Sequence, residues 1–334
     1  MQQQNPPRLC FCMRTRGVFF CPKLGQGGHS MKLPYTKPAL SIAEQIAKLE
    51  SHGMTITDHA TATHNLQHIS YYRLSAYWLA FENSKDHLGP RFKPDTSFEG
   101  VMALYEFDRK LRLLVLDAVE RVEVAIRGSW AYQMAMLGGS HEYIDARHYA
   151  DIAKYNDNCG KLDSEARRSK DIFIKHYRAK YSEPVRPPIW MAAELLSFGL
   201  LSQWYGALKE PKLRQAIAAP FGLDEKIFVG FVHHLTVVRN ICAHHSRLWN
   251  RIIDVSFTLP KKQPAGLAAA LNREESKRTY NTFSMLQFLL SKAEPNNDWG
   301  NRLIALMATL PTGRETAMGF PSDWKSIELW GGSQ

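Results

Sequence analysis

Long apolar runs are missing from this 334-residue chain. Nothing in it approaches the roughly 18 to 20 apolar residues that span a bilayer, and the GVFF patch near the start falls short of the roughly 7 to 15 residues of a signal-peptide core. A cytoplasmic protein with no membrane partner is expected. Cysteine is scarce, with five residues at irregular spacing, three of them (Cys10, Cys12 and Cys21) within the first 30 positions. That pattern supports neither a disulfide framework nor a paired CxxC site, and a zinc site from Cys10, Cys12, Cys21 and His29 would lack the usual knuckle spacing. No other Asp, Glu, His or Cys group is spaced for a divalent metal, so neither metal nor cofactor is expected. There is no glycine-rich phosphate loop, no fixed-period repeat and no convincing period-two alternation. An all-α fold is what remains.

Acids are the scarcer charge, 32 against 42 Lys and Arg, for a formal net charge of +10. Arg8, Arg14, Arg16 and Lys23 lie in an acid-free stretch of residues 1–30, and the rest of the chain is still basic enough to favour a polyanionic partner. Hydrophobic residues make up 45% of the chain, enough for one large domain or two modest ones.

Residues 1–30 show no periodicity and read either as a disordered tail or as sequence upstream of a true start at Met31. Residues 31–98 read as an N-terminal helical region. There S-I-A-E opens a helix at Ser41 with Ile42, Ile46 and Leu49 in register, and a second helix runs from about Asp58 to Ile69. The aromatic stretch YYRLSAYWLAF, 71–81, is either a packed joint between helices or a stacking surface for single-stranded RNA. A long helix is expected over 99–137, with Phe107, Leu111, Leu114, Ala118, Val122 and Ala125 on its apolar face. Short helices follow in 140–185, then one apolar helix in 187–209 and another from about 225 to 252. Residues 258–272 read as a linker, with helices at 273–292 and 299–310.

What the chain does have is RNICAHHSRLWNR, residues 239–251, with three arginines, two asparagines and two adjacent histidines. On a wheel at about 100° per residue, Phe231, Leu235, Val238, Ile241, Cys242, Leu248, Trp249 and Ile252 form a core arc, and His233, Asn240, His244, Arg247 and Arg251 align opposite. Residues 231–251 contain no carboxylate and four of the thirteen histidines. A face of guanidinium and imidazole suits anion binding with proton transfer near neutrality, which phosphodiester cleavage requires. On the same wheel His245 falls within the core arc as a structural histidine, and His234 at the surface or between helices. Arg239 stands about 140° from His244, so the two converge only if the arginine reaches around the helix.

The spacing Arg239-Asn240-x-x-x-His244 resembles the R-x4-6-H signature of the HEPN ribonuclease superfamily, and the longer string resembles the abortive-infection (Abi) family within it. YYRLSAYW, ALYEFDRKLR with ERVEVAIR, PPIWMAAELLSFGLLS and MGFPSDWKSIELW resemble that family's further blocks in order, over residues 31–334. The resemblance implies an all-α, HEPN-like helical bundle with an additional N-terminal helical segment, a catalytic core over 99–257, and a linker with C-terminal helices over 258–334. It also implies a homodimer that cuts RNA without metal. Arg239 would bind the scissile phosphate, Asn240 orient it, and His244 assist proton transfer. Glu123-x3-Arg127 matches an E-x3-K/R element that accompanies the motif, although an i, i+4 ion pair is the simpler reading. Arg109, Arg112, Glu120, Glu123 and Arg127 share one helix face, which suggests a polar cleft beside the histidine helix. Tyr72, Arg73, Arg112, His233, Arg247 and Arg251 are the expected RNA contacts. The implied role is a toxin-like endoribonuclease in phage defence. The alternatives are a non-catalytic RNA-binding protein held by a small regulatory RNA, and a toxin silenced by an antitoxin or a nucleotidyltransferase partner.

Overall fold

A computed structural model describes residues 34–83, 89–311 and 313–332. The extension over residues 1–30, with Cys10, Cys12, Cys21 and His29, lies outside the described residues. The chain divides into Met1–Ser41, which over 34–41 carries no regular structure, and Ile42–Gln334, a compact unit.

Within that unit α1 (Ile42–Ser51) buries Ile46 and Leu49. α2 (His59–Ile69) begins where the Asp58 carboxylate caps the Thr61 amide, satisfying one of the donors that every helix start leaves open. Ser70, at φ 69, turns the chain sharply into α3 (Tyr71–Trp78). The aromatic stretch is therefore itself a helix. Its inner face buries Leu74, Tyr77 and Trp78, while Tyr72 remains 69% exposed.

The axis of the unit is α4 (Phe98–Gly138), capped by Ser97 and stopped at Gly139, whose φ of 107 suits glycine. Its 41 residues span about 60 Å at ~1.5 Å per residue. α3 packs on it, and so do six later helices described here. α5 (Ile152–Arg168) and α6 (Ile172–Lys180) make the polar excursion. The apolar segment 187–209 is two helices rather than one, α7 (Ile189–Leu195) and α8 (Phe198–Gly206), because Leu196 is extended and the Ser197 hydroxyl caps the Leu200 amide. α9 (Pro211–Ala218) follows, with proline at its first turn, where a missing N–H costs nothing.

α10 (Glu225–Ala243) ends well before residue 252, so the wheel cannot be continued through Arg247 and Arg251. The expected linker contains a short α11 (Ala265–Ala270). α12 (Thr279–Ala293) is buried on nearly all sides, and α13 (Trp299–Met307) lies beside it in the core. The tail closes the unit in 3-10 turns that set Phe320 and Trp330 against Tyr280. The described residues hold thirteen α-helices and isolated bridges but no strand, so the all-α reading stands. None of these helices is long and apolar enough to cross a membrane.

Candidate active site

The end of α10 places the motif. Asn240 lies one turn before His244, whose amide closes the helix by donating to the Asn240 carbonyl at 3.0 Å. Both residues are exposed, and Arg239 is half-buried. Arg239 Nη1 donates to Asn240 Oδ1 at 3.3 Å, so the guanidinium leans around the helix toward the face that carries Asn240 and His244. The guanidinium thus covers part of the separation on the wheel, as far as the Asn240 side chain.

Beyond His244 the chain reverses. His245 takes φ 58, a left-handed conformation, and is exposed, so it is not the buried structural histidine that the wheel suggests. That role belongs to His234, 3% exposed, whose Nδ1 donates to the Val255 carbonyl at 2.5 Å and whose Nε2 accepts from the Thr282 hydroxyl at 2.9 Å. Burial drives its pKa down to about 4, so it is neutral and unsuited to proton transfer. His233, by contrast, is exposed on the same face as Asn240.

Three segments distant in sequence meet at the reversal. Arg73 of α3 donates to the His245 carbonyl at 2.6 Å and stacks on Tyr105 of α4 with its guanidinium carbon 5.7 Å from the ring centre. Arg247 Nη1 donates to the Ala76 carbonyl at 2.7 Å, serving one of the open carbonyls at the end of α3. Arg251 Nη1 donates to the Arg247 carbonyl at 3.2 Å. Burial lowers the pKa of both Arg247 and Arg251, although each remains cationic near neutrality. Among the described residues, Arg73, Arg239, Arg247 and Arg251 bond only neutral acceptors and form no ion pair. Arg112, Arg121, Arg127, Arg186 and Arg214 each hold a carboxylate. The arginines around the reversal thus hold no carboxylate by a direct bond, although Asp108 and Asp254 lie close enough to favour the charged forms of Arg247 and Arg251.

Three expected participants do not reach the exposed face. Arg112, 4% exposed, is paired with Asp108 beneath the surface and cannot contact RNA as it stands. Glu123 and Arg127 lie about 16 to 22 Å further along α4 at ~1.5 Å per residue. They pair with each other at 2.6 Å, and Arg127 also donates to the Ala193 and Leu196 carbonyls at the break between α7 and α8. The helix face from Arg109 to Arg127 is not one cleft: Arg109 and Glu120 are exposed, Arg112 is buried, and Glu123 and Arg127 are half-buried.

The sequence reading missed Asp108. Fully buried, it accepts the Leu248 and Trp249 amides on Oδ1 at 3.0 and 2.6 Å. Its Oδ2 accepts the Tyr77 hydroxyl at 2.7 Å and the Arg112 guanidinium. Burial, with Asp108 beside it, pushes the Tyr77 hydroxyl pKa well up. The clue was available, since Leu104, Leu111 and Val115 put Asp108 inside the apolar arc of α4, where a lone carboxylate must find partners.

One further group has metal-ligand chemistry. Glu142, Asp145 and His148, in 3-10 turns after α4, bring ligand atoms within 4.8 Å of one another. They already serve one another and Arg147: His148 Nε2 meets Glu142 Oε1 at 2.6 Å, and Asp145 pairs with Arg147.

A family model described as Abi-like protein matches residues 64–250, a span that contains α3, α4 and α10 together with the reversal after His244. No curated protein and no solved structure matches the chain.

Proposed function

The chain belongs to the Abi-like protein family, and from that premise we propose that it is a metal-independent endoribonuclease of the HEPN type acting in abortive-infection phage defence. The observation that carries the reading is the lean of Arg239 onto Asn240, which brings the motif arginine to the exposed face that carries His244. Around that face lie arginines that hold no carboxylate by a direct bond, a setting that favours phosphate over any neutral ligand. RNA offers both the phosphate and, on the neighbouring ribose, the 2′-hydroxyl that can attack it. Arg239 holds the phosphate and offsets its charge as the O2′–P bond forms and the P–O5′ bond breaks. His244 moves a proton, either from the attacking hydroxyl or to the departing oxygen. The ends left are a 2′,3′-cyclic phosphate and a 5′-hydroxyl. Tyr72, Arg73 and His233 extend the contact along the strand by stacking and charge.

Expression of wild type beside Arg239→Ala and His244→Ala, followed by end mapping of total RNA, tests this. New cyclic-phosphate ends should occur with wild type alone, and purified enzyme should keep cutting in EDTA. RNA binding without new ends would favour the non-catalytic reading, and strict magnesium dependence would remove the mechanism.

A further inference from the structure

We infer that Asp108 is a positioning residue for the proposed RNA chemistry, a buried carboxylate that sets the reversal carrying His244; the inference rests on that reading of the site. Its four bonds reach three segments: Tyr77 of α3, Arg112 of α4, and the Leu248 and Trp249 amides just past His244. Two consecutive amides on one carboxylate oxygen fix the direction in which the chain leaves the helix. With Arg73 holding the His245 carbonyl, the segment is gripped on both sides of Ser246. The helix end itself is closed locally, by the His245 amide on the Cys242 carbonyl at 3.0 Å and the Ser246 amide on the Ile241 carbonyl at 2.9 Å around the αL residue 245. Beyond that closure the Leu248 and Trp249 amides find no acid within residues 239–251, and Asp108 serves them. The carboxylate touches neither Arg239 nor His244, so its effect is on geometry. It should influence turnover more than affinity, since a displacement near 1 Å costs on the order of 100-fold in rate while exposed cations still attract the strand.

Asp108→Asn and Tyr77→Phe test this in the full chain. Asparagine offers the two amides a neutral, weaker acceptor in place of an ionised carboxylate, and turns an NH2 toward the Tyr77 and Arg112 donors that orient the native side chain, so its hold on the amides slackens; Tyr77→Phe removes one orienting donor alone. On a fluorophore–quencher single-stranded RNA of mixed sequence, kcat should fall about 10- to 100-fold in Asp108→Asn, with KM and RNA affinity within about twofold of wild type. Tyr77→Phe should show a smaller kcat loss of the same kind. Equal loss of kcat and affinity, or unchanged kcat in a folded variant, would overturn the assignment. Hydrogen exchange supplies a readout independent of catalysis: amides of residues 244–250 should exchange at least about tenfold faster in Asp108→Asn, with α12 unchanged. If wild type fails to cut RNA while this local loosening occurs, the ribonuclease reading fails and the anchoring role stands. If exchange at 244–250 is unaltered in both variants, the anchoring role fails whatever the enzyme does. Should Asp108→Asn not fold, Tyr77→Phe decides by the same two measurements.

Discussion

His234 and His244 come from one stretch of chain and meet opposite environments. The first is sealed between a backbone carbonyl and a threonine hydroxyl, and the second stands exposed at a helix end. Because the folded pKa of His234 lies below its unfolded value of 6.5, the unfolded chain takes up the proton first as pH falls. Its contribution to stability is therefore complete above about pH 6.5 and is lost progressively toward about pH 4, by on the order of 3 kcal/mol. Thermal melts at pH 7.5 and 5.0 should show wild type losing more than His234→Gln over that interval; parallel losses would remove the assignment. His245 supports a prediction of opposite sign. An exposed residue at φ 58 gains nothing from its Cβ, so His245→Gly should raise stability by about 0.5 to 1 kcal/mol and keep RNA cleavage. A drop in the melting temperature would show that the imidazole packs somewhere after all.

At the scale of elements, the break between α7 and α8 explains why an E-x3-R pair on α4 resembles half of a site. Every helix end leaves carbonyls without partners, and Arg127 supplies donors to two of them while Glu123 balances its charge. Arg127→Met should therefore cost about 1 to 3 kcal/mol in chemical denaturation, from carbonyls left unserved inside the bundle. At a temperature where the variant is folded, kcat should match wild type. Loss of kcat with unchanged stability would return Glu123 and Arg127 to the site.

At the scale of the whole molecule, one chain presents one Arg239, Asn240 and His244 set on an exposed helix end. A two-fold dimer would repeat that patch opposite itself and give the RNA strand two arginines and two histidines. Like charges on the facing patches would repel, so contacts away from them would have to hold the pair, with phosphate between them drawing them together. Light scattering at moderate salt should report a dimer, and RNA affinity should fall steeply with salt, as for any complex that displaces several counterions. A monomer with full activity would sink the shared-site arrangement.

The all-α class and most helix positions were legible because helical periodicity is local: α1, α2, α4 and α13 lie close to where apolar spacing and caps put them, while α12 starts at Thr279 rather than at 273, after a turn. The resemblance rather than periodicity singled out Arg239, Asn240 and His244, which stand together at the end of α10. Helix ends were less legible. The stop at Ala243 is closed by the Ser246 amide on the Ile241 carbonyl around His245 at φ 58, the path beyond it meets Asp108, far away in sequence, and periodicity beyond a stop describes a helix that does not exist. Hence the wheel puts His245 in the core and leaves His234 open between the surface and an interhelix position, because a polar ring belongs inside only where acceptors and donors from other segments await it, as Val255 and Thr282 do for His234. The Glu142, Asp145 and His148 alignment was invisible for a related reason, since i, i+3, i+6 spacing converges only in 3-10 turns. Sequence by itself determined which residues carry charge, apolar surface and the motif, because those are properties of single side chains and their near neighbours. Tertiary structure alone decided that Asp108 meets the amides past His244, that Arg73 and Arg247 join α3 to the reversal, and that His234 is sealed inside, because such contacts and burial are settled by segments that touch only once the chain has folded.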